Sequence, residues 1–83
     1  MKVIVKLFAT LIDYLPDGSH GNQVAVDVDD HASVGEILER FRLPEKLTHL
    51  VLINGNYVAP AARPTRRLNE GDHLAVWPPI AGG

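Results

Sequence analysis

One short stretch, Ser33-Val34-Gly35-Glu36, sets the terms on which this chain can fold. It is a capping box. The Ser33 hydroxyl can accept from the backbone N–H three residues on, while the Glu36 carboxylate can reach back to the Ser33 N–H. Val34, Ile37, Leu38 and Phe41 follow at i, i+3, i+4 and i+7, an apolar stripe along one helix face. Pro44 ends the helix and biases Leu43 toward extended backbone, with room for one further turn from Pro44 to Leu47. This helix must bury its stripe against strands.

The strands are read from two-residue alternation. From Lys2 to Phe8, Val3, Val5 and Leu7 share one face, and Lys2, Ile4, Lys6 and Phe8 share the other. Thr10 to Leu15 reads as a helical turn, and Pro16-Asp17-Gly18 is a turn signal. From Gln23 to Asp29, Val24, Val26 and Val28 point one way, with Ala25, Asp27 and Asp29 opposite. This second strand returns antiparallel to the first across a polar loop, Pro16 to Asn22. His49 to Ile53 is a third strand. Asn54-Gly55 then suits a type I′ hairpin, whose two central residues both need φ > 0. With those two as the loop, Leu52 faces Tyr57 and Val51 faces Val58. A polar, proline-containing loop runs from Ala59 to Arg67. Asn69-Glu70-Gly71-Asp72 is a tight turn, and His73 to Trp77 is the last strand, with Leu74 and Val76 toward the core.

The order is β-β-α-β-β-β. The hairpin requires a late antiparallel pair, and the helical crossover favours a parallel one. The predicted fold class is α+β: a β-grasp (ubiquitin-like) arrangement, a mixed five-stranded sheet packed on one helix with a flexible C-terminal tail. The first and last strands are expected to be adjacent and central, on fold analogy.

With 83 residues the chain is expected to be a single domain spanning 1–83, its tail at 78–83. Cysteine is absent, which excludes disulfides, thiolate metal sites and a cysteine nucleophile, and accords with a cytoplasmic location. A net charge of −2 leaves no basic footprint for nucleic acid. No apolar run approaches the ~18–20 residues of a membrane span, so no membrane partner is expected. The opening MKVIVKLFATLIDYL has two early lysines, as a signal peptide would. Lys6 interrupts its apolar stretch, Asp13 follows and no small-residue cleavage site appears, so it reads as a strand. His20, His31, His49 and His73 are spaced too widely for a helical metal site, and none is expected. Asp27, Asp29 and Asp30 precede the helix, where negative charge is mildly stabilising. Arg63, Arg66 and Arg67 read as a solvated loop, with the steering of an acidic partner as the alternative.

The chain closes on Pro78-Pro79-Ile80-Ala81-Gly82-Gly83. At average glycine usage, two final glycines arise by chance about once in 200 chains. Gly82 and Gly83, lacking Cβ atoms, can thread a narrow channel. Pro78 and Pro79 hold the preceding chain extended, so an arm projects from the body at lower entropic cost on binding.

Leu68-Asn69-Glu70-Gly71-Asp72-His73-Leu74-Ala75-Val76-Trp77 followed by that double proline and Gly-Gly resembles the MoaD/ThiS sulfur-carrier family, most nearly the small subunit of molybdopterin synthase. The capped helix SVGEIL and the hairpin LINGNYV support the resemblance, which covers essentially the whole chain. Trp77 stands where many of those relatives carry Phe. The resemblance implies a protein substrate and not an enzyme. An E1-like partner adenylates the terminal carboxylate with ATP, sulfur from a donor protein replaces AMP, and the thiocarboxylate passes sulfur on. In molybdopterin synthesis the acceptor is held by a large catalytic subunit. On this reading Gly83 is the activated residue, Gly82 and Ala81 are the slim approach, Ile80 continues the arm, and Pro78 and Pro79 are its stiff exit. The carrier binds no cofactor or metal of its own. Other sulfur pathways (thiamine thiazole, cysteine, tRNA thiolation, tungsten cofactor) would use the same ending, and so would a ubiquitin-like modifier. A regulatory domain with an inert tail is a third reading. Ile4, Phe8, Leu52, Tyr57 and Trp77 all fall by parity on the sheet face opposite the helix. Of these, Phe8, Leu52, Tyr57 and Trp77 are the expected partner-docking residues.

Overall fold

The computed structural model of the chain describes residues 1–79. The expected arm residues Ile80, Ala81, Gly82 and Gly83 lie outside the described residues. The capping box forms: Ser33 Oγ accepts from the Glu36 N–H at 3.2 Å, and Glu36 Oε1 accepts from the Ser33 N–H at 3.4 Å. Helix α1, Val34–Arg40, follows and buries Val34, Ile37 and Leu38. It stops in a Schellman motif. The Leu43 N–H donates to Leu38 O at 3.2 Å and the Arg42 N–H to Glu39 O at 2.9 Å. Arg42 occupies the left-handed position, φ +57°, where glycine is usual.

Five strands form one mixed sheet: β1 (Lys2–Leu7), β2 (Gln23–Asp27), β3 (Leu50–Ile53), β4 (Asn56–Tyr57) and β5 (His73–Trp77). Their order is β2-β1-β5-β3-β4, so the first and last strands are neighbours and β5 is central. β1 and β5 run parallel, and every other neighbouring pair is antiparallel. This is the β-grasp, ubiquitin-like fold expected on fold analogy. Asn54 and Gly55 form the hairpin loop with φ +49° and +86°, and Leu52 pairs with Tyr57 as expected. The Asn54 side chain also reaches the turn before β5. Its Oδ1 accepts from the His73 N–H and its Nδ2 donates to Asp72 Oδ1, both at 2.9 Å.

The two-residue alternation decides which side of the sheet is dry. Val3, Val5, Leu7, Val51, Ile53, Leu74 and Val76 are all at most 2% exposed and join the helix stripe in one hydrophobic cluster. Full burial of such a side chain contributes about 1.5–3 kcal/mol. The expected helical turn forms as a 3-10 helix (Ala9–Tyr14), and its buried Leu11 completes that end of the core. β2 is shorter than its pattern and ends at Asp27, although the Val28 N–H still donates to Met1 O at 2.8 Å.

The loop after β4 departs most from expectation. Arg63 is not solvated and offers no charge for steering a partner: it is 7% exposed. Its Nη1 donates to Thr48 O at 2.7 Å, Nη2 to His49 O at 3.2 Å and Nε to Val58 O at 3.3 Å. A guanidinium can satisfy three carbonyls at once because its donors are fixed in a fork. Arg63 thus straps its loop to the chain entering β3. The backbone there also abuts α1, with the Gly35 N–H donating to Arg63 O at 2.8 Å. A Cβ on Gly35 would lie 3.3 Å from both Arg63 O and Pro64 Cα, which accounts for a glycine in the first helical turn. Arg66 and Arg67 are exposed, and the Arg67 guanidinium donates to His31 O.

Candidate functional site: the open sheet face and the exit of the chain

Because Val5, Leu7, Leu74, Val76, Val51 and Ile53 point into the core, the residues between them face away from the helix. Register brings these into rows. Ile4 pairs with His73, Lys6 with Ala75, Leu52 with Ala75 and Leu50 with Trp77. Phe8 lies one residue past β1, its N–H donating to Val76 O at 3.1 Å, and its ring stacks on Trp77. The ring centroids are 4.0 Å apart and the planes 9° from parallel. Tyr57, 59% exposed, stands beside Leu52 at the sheet edge.

Phe8, Leu52 and Trp77 line one shallow cavity of about 310 Å³, together with Lys6, His73 and Ala75. Tyr57 and Ile4 share the face without lining that cavity. The expected docking set also omits Leu50, Lys6, His73 and Ala75. The same two-residue rule places them on this face, but a search for large apolar side chains passes over a lysine, a histidine and an alanine.

Trp77 is also where the sheet lets go of the chain. Its carbonyl accepts from the His49 N–H at 3.0 Å, its ring is covered by Phe8, and Pro78 and Pro79 follow directly. The backbone therefore leaves from a point held on two sides, and neither proline can donate to extend a ladder. Pro78 is half-buried and Pro79 exposed. Among the described residues, no group of three or more His, Asp or Glu side chains is placed to hold a metal ion. Among the same residues, no helix is long and apolar enough to cross a membrane.

A β-grasp sheet with one face on a helix, an open apolar face opposite and a stiffened exit beside that face defines a ubiquitin-like protein. The chain belongs to the Mut7-C ubiquitin family, whose model matches residues 1–81. Small archaeal modifier protein 1 of Haloferax volcanii is similar at 29% identity and a TM-score of 0.68, over 95% of this chain and 98% of that one. A putative molybdopterin converting factor subunit 1 from Pyrococcus furiosus shares the fold at 22% identity and a TM-score of 0.69, over 95% and 98% of the two chains. The complex of subunits 1 and 2 of the molybdopterin-converting factor from Helicobacter pylori contains a chain of the same fold. The match is 20% identical with a TM-score of 0.60, over all of both chains. No curated protein matches the sequence. The resemblance to MoaD/ThiS proteins is upheld at the level of family and fold.

Proposed function

We propose that this protein carries sulfur on the carboxyl group of Gly83. In the first step a carboxylate oxygen attacks the α-phosphate of ATP in the site of an E1-like enzyme, releasing pyrophosphate and leaving an acyl-adenylate. The outer sulfur of a persulfide on a donor protein then attacks the acyl carbon and AMP leaves. A thiol reductant splits the resulting acyl disulfide, leaving the thiocarboxylate on Gly83 and a disulfide on the donor side. The carrier supplies no base and, having no cysteine, no thiol of its own. Its contribution is delivery. The observation that carries the reading is the pinned end of β5, where Trp77 is held by Phe8 and His49 immediately before Pro78-Pro79 and the glycine pair. Activation requires the terminal carbon to enter another protein's nucleotide site, and two prolines that restrict the chain at the exit lower the entropy lost on entering it.

The acceptor is a molybdopterin precursor held by a large catalytic subunit. The shared fold with the Helicobacter pylori subunit supports this pathway. A second reading, a modifier joined through its glycine end to lysines of other proteins, is favoured by the likeness to the archaeal modifier protein. Intact mass after co-expression with the adenylating enzyme separates them. A carrier gains the difference between sulfur and oxygen at its C-terminal peptide, whereas a modifier leaves Gly-Gly remnants on lysines elsewhere. One residue added after Gly83 is expected to abolish activation and leave the fold intact. Unimpaired adenylation of that variant overturns the carrier mechanism.

A further inference from the structure

The middle of the open face is a socket, and its lining says what fills it. Ala75 is the small residue at its floor. Its register partners on either side are Lys6 and Leu52, and its same-face neighbours along β5 are His73 and Trp77. A methyl group ringed by four larger side chains leaves a hollow, and this is the 310 Å³ cavity that Phe8 also lines. One wall is apolar and aromatic: Leu52, Phe8 and Trp77. The other carries His73 and the half-buried Lys6, with Asn54 and Gly55 of the hairpin closing the rim.

No carboxylate of the described residues answers that ammonium. The only ion pair among them joins the Met1 ammonium to Asp30. Across β2 the register partner of Lys6 is the neutral Gln23. Asp72, which precedes His73 of the socket, is occupied in its own turn, Oδ1 accepting from Asn54 Nδ2 and Oδ2 from the Asn69 N–H. A positive charge left unopposed beside an apolar hollow is complementary to a surface that brings both an apolar knob and an acid.

We infer that the Ala75 socket receives one apolar side chain of the activating enzyme, with a carboxylate of that enzyme set against Lys6. The inference rests on the carrier reading above and deepens it, because it names how this carrier selects its partner. Socket shape excludes partners without the knob, and Lys6 disfavours those presenting a cation there. The area is continuous with the exit at Trp77, so filling the socket sets the register of the arm.

The test uses the full chain and the purified E1-like adenylating enzyme of the same organism, with affinity and association rate measured at low and high salt. Ala75→Leu fills the hollow and is expected to weaken binding at least about tenfold. Lys6→Glu is expected to slow association several-fold at low salt, with the difference closing at high salt. It also stands as an independent arm should Ala75→Leu disturb the fold, which the amide spectrum reports. Wild-type chain adenylated normally, with both variants binding as tightly and as fast, overturns the socket alone. Wild-type chain that is never adenylated overturns the carrier reading and the socket with it. A wild-type dimer that Ala75→Leu disperses assigns the socket to a second copy and also overturns the inference.

Discussion

Phe8 and Trp77 lie face to face, 4.0 Å between ring centroids, one from the beginning of the chain and one from the end of its last strand. The stack does two things at once. It offers a broad apolar plate on the open face, and it fixes the residue from which the chain leaves the sheet.

Trp77→Ala removes half of that plate. Aromatic pairs contribute about 0.5–1.5 kcal/mol beyond the area they bury, so folding stability is expected to fall by about 1 kcal/mol. Affinity for the activating enzyme is expected to fall by about 2 kcal/mol or more, as for a central anchor of an interface. Calorimetric titration and denaturant unfolding on the same variant compare the two. A stability loss larger than the affinity loss would make the stack a structural feature and not a docking one.

Arg63→Ala should be among the most damaging substitutions outside the apolar core. It strands the carbonyls of Thr48, His49 and Val58, which now accept from one guanidinium. The expected loss is about 3 kcal/mol, because buried acceptors left without donors lose their hydration as well as their bond. Arg63→Lys should recover only part of it, since a single ammonium lacks the fork. Arg66→Ala and Arg67→Ala, at exposed positions, are expected to stay within about 0.5 kcal/mol of wild type in urea unfolding.

Arg42→Gly should stabilise. An L-residue in the left-handed region is strained by about 1–2 kcal/mol, and glycine gives back about 0.4–1 kcal/mol through its freer unfolded chain. The net gain expected is about 0.5–1 kcal/mol, read as a raised unfolding midpoint at unchanged m-value. A fall instead would mean that the Arg42 side chain makes a stabilising contact outweighing its strain.

Ser33→Ala opens the capping box at the start of α1. Its Oγ now accepts from the Glu36 N–H, and the N-cap loss is expected to be about 1 kcal/mol. Ser33→Asp should retain most of the stability, since a carboxylate also caps and favours the helix N-terminus. Equal losses for both would point to the burial of Ser33, 3% exposed, and not to its cap.

Much of the architecture is written in short-range chemistry. The capping box, the Asn54-Gly55 hairpin and the alternation of β1 and β5 each depend on residues within a few positions of one another. Each therefore survives reading without a structure, and the open face follows from the alternation by subtraction. The same reading misjudged Arg63, because an arginine between prolines in a polar stretch has the local marks of a solvated loop. Its burial depends on carbonyls at Thr48 and His49, which local chemistry does not place beside it. Gly35 is a parallel case: its neighbours in sequence suggest no need for glycine, and its neighbours in space are Arg63 and Pro64.

The amino-acid order alone settled the kinds of element, their sequence along the chain and which side chains share a face, since backbone stereochemistry enforces those periodicities locally. Tertiary structure alone decided the register in which the strands meet, and through that the Phe8–Trp77 stack, the hollow over Ala75 and the unopposed Lys6. Those features join residues from different strands. Their meeting is decided by the shared burial of one core, a sum over the whole chain that no short stretch contains.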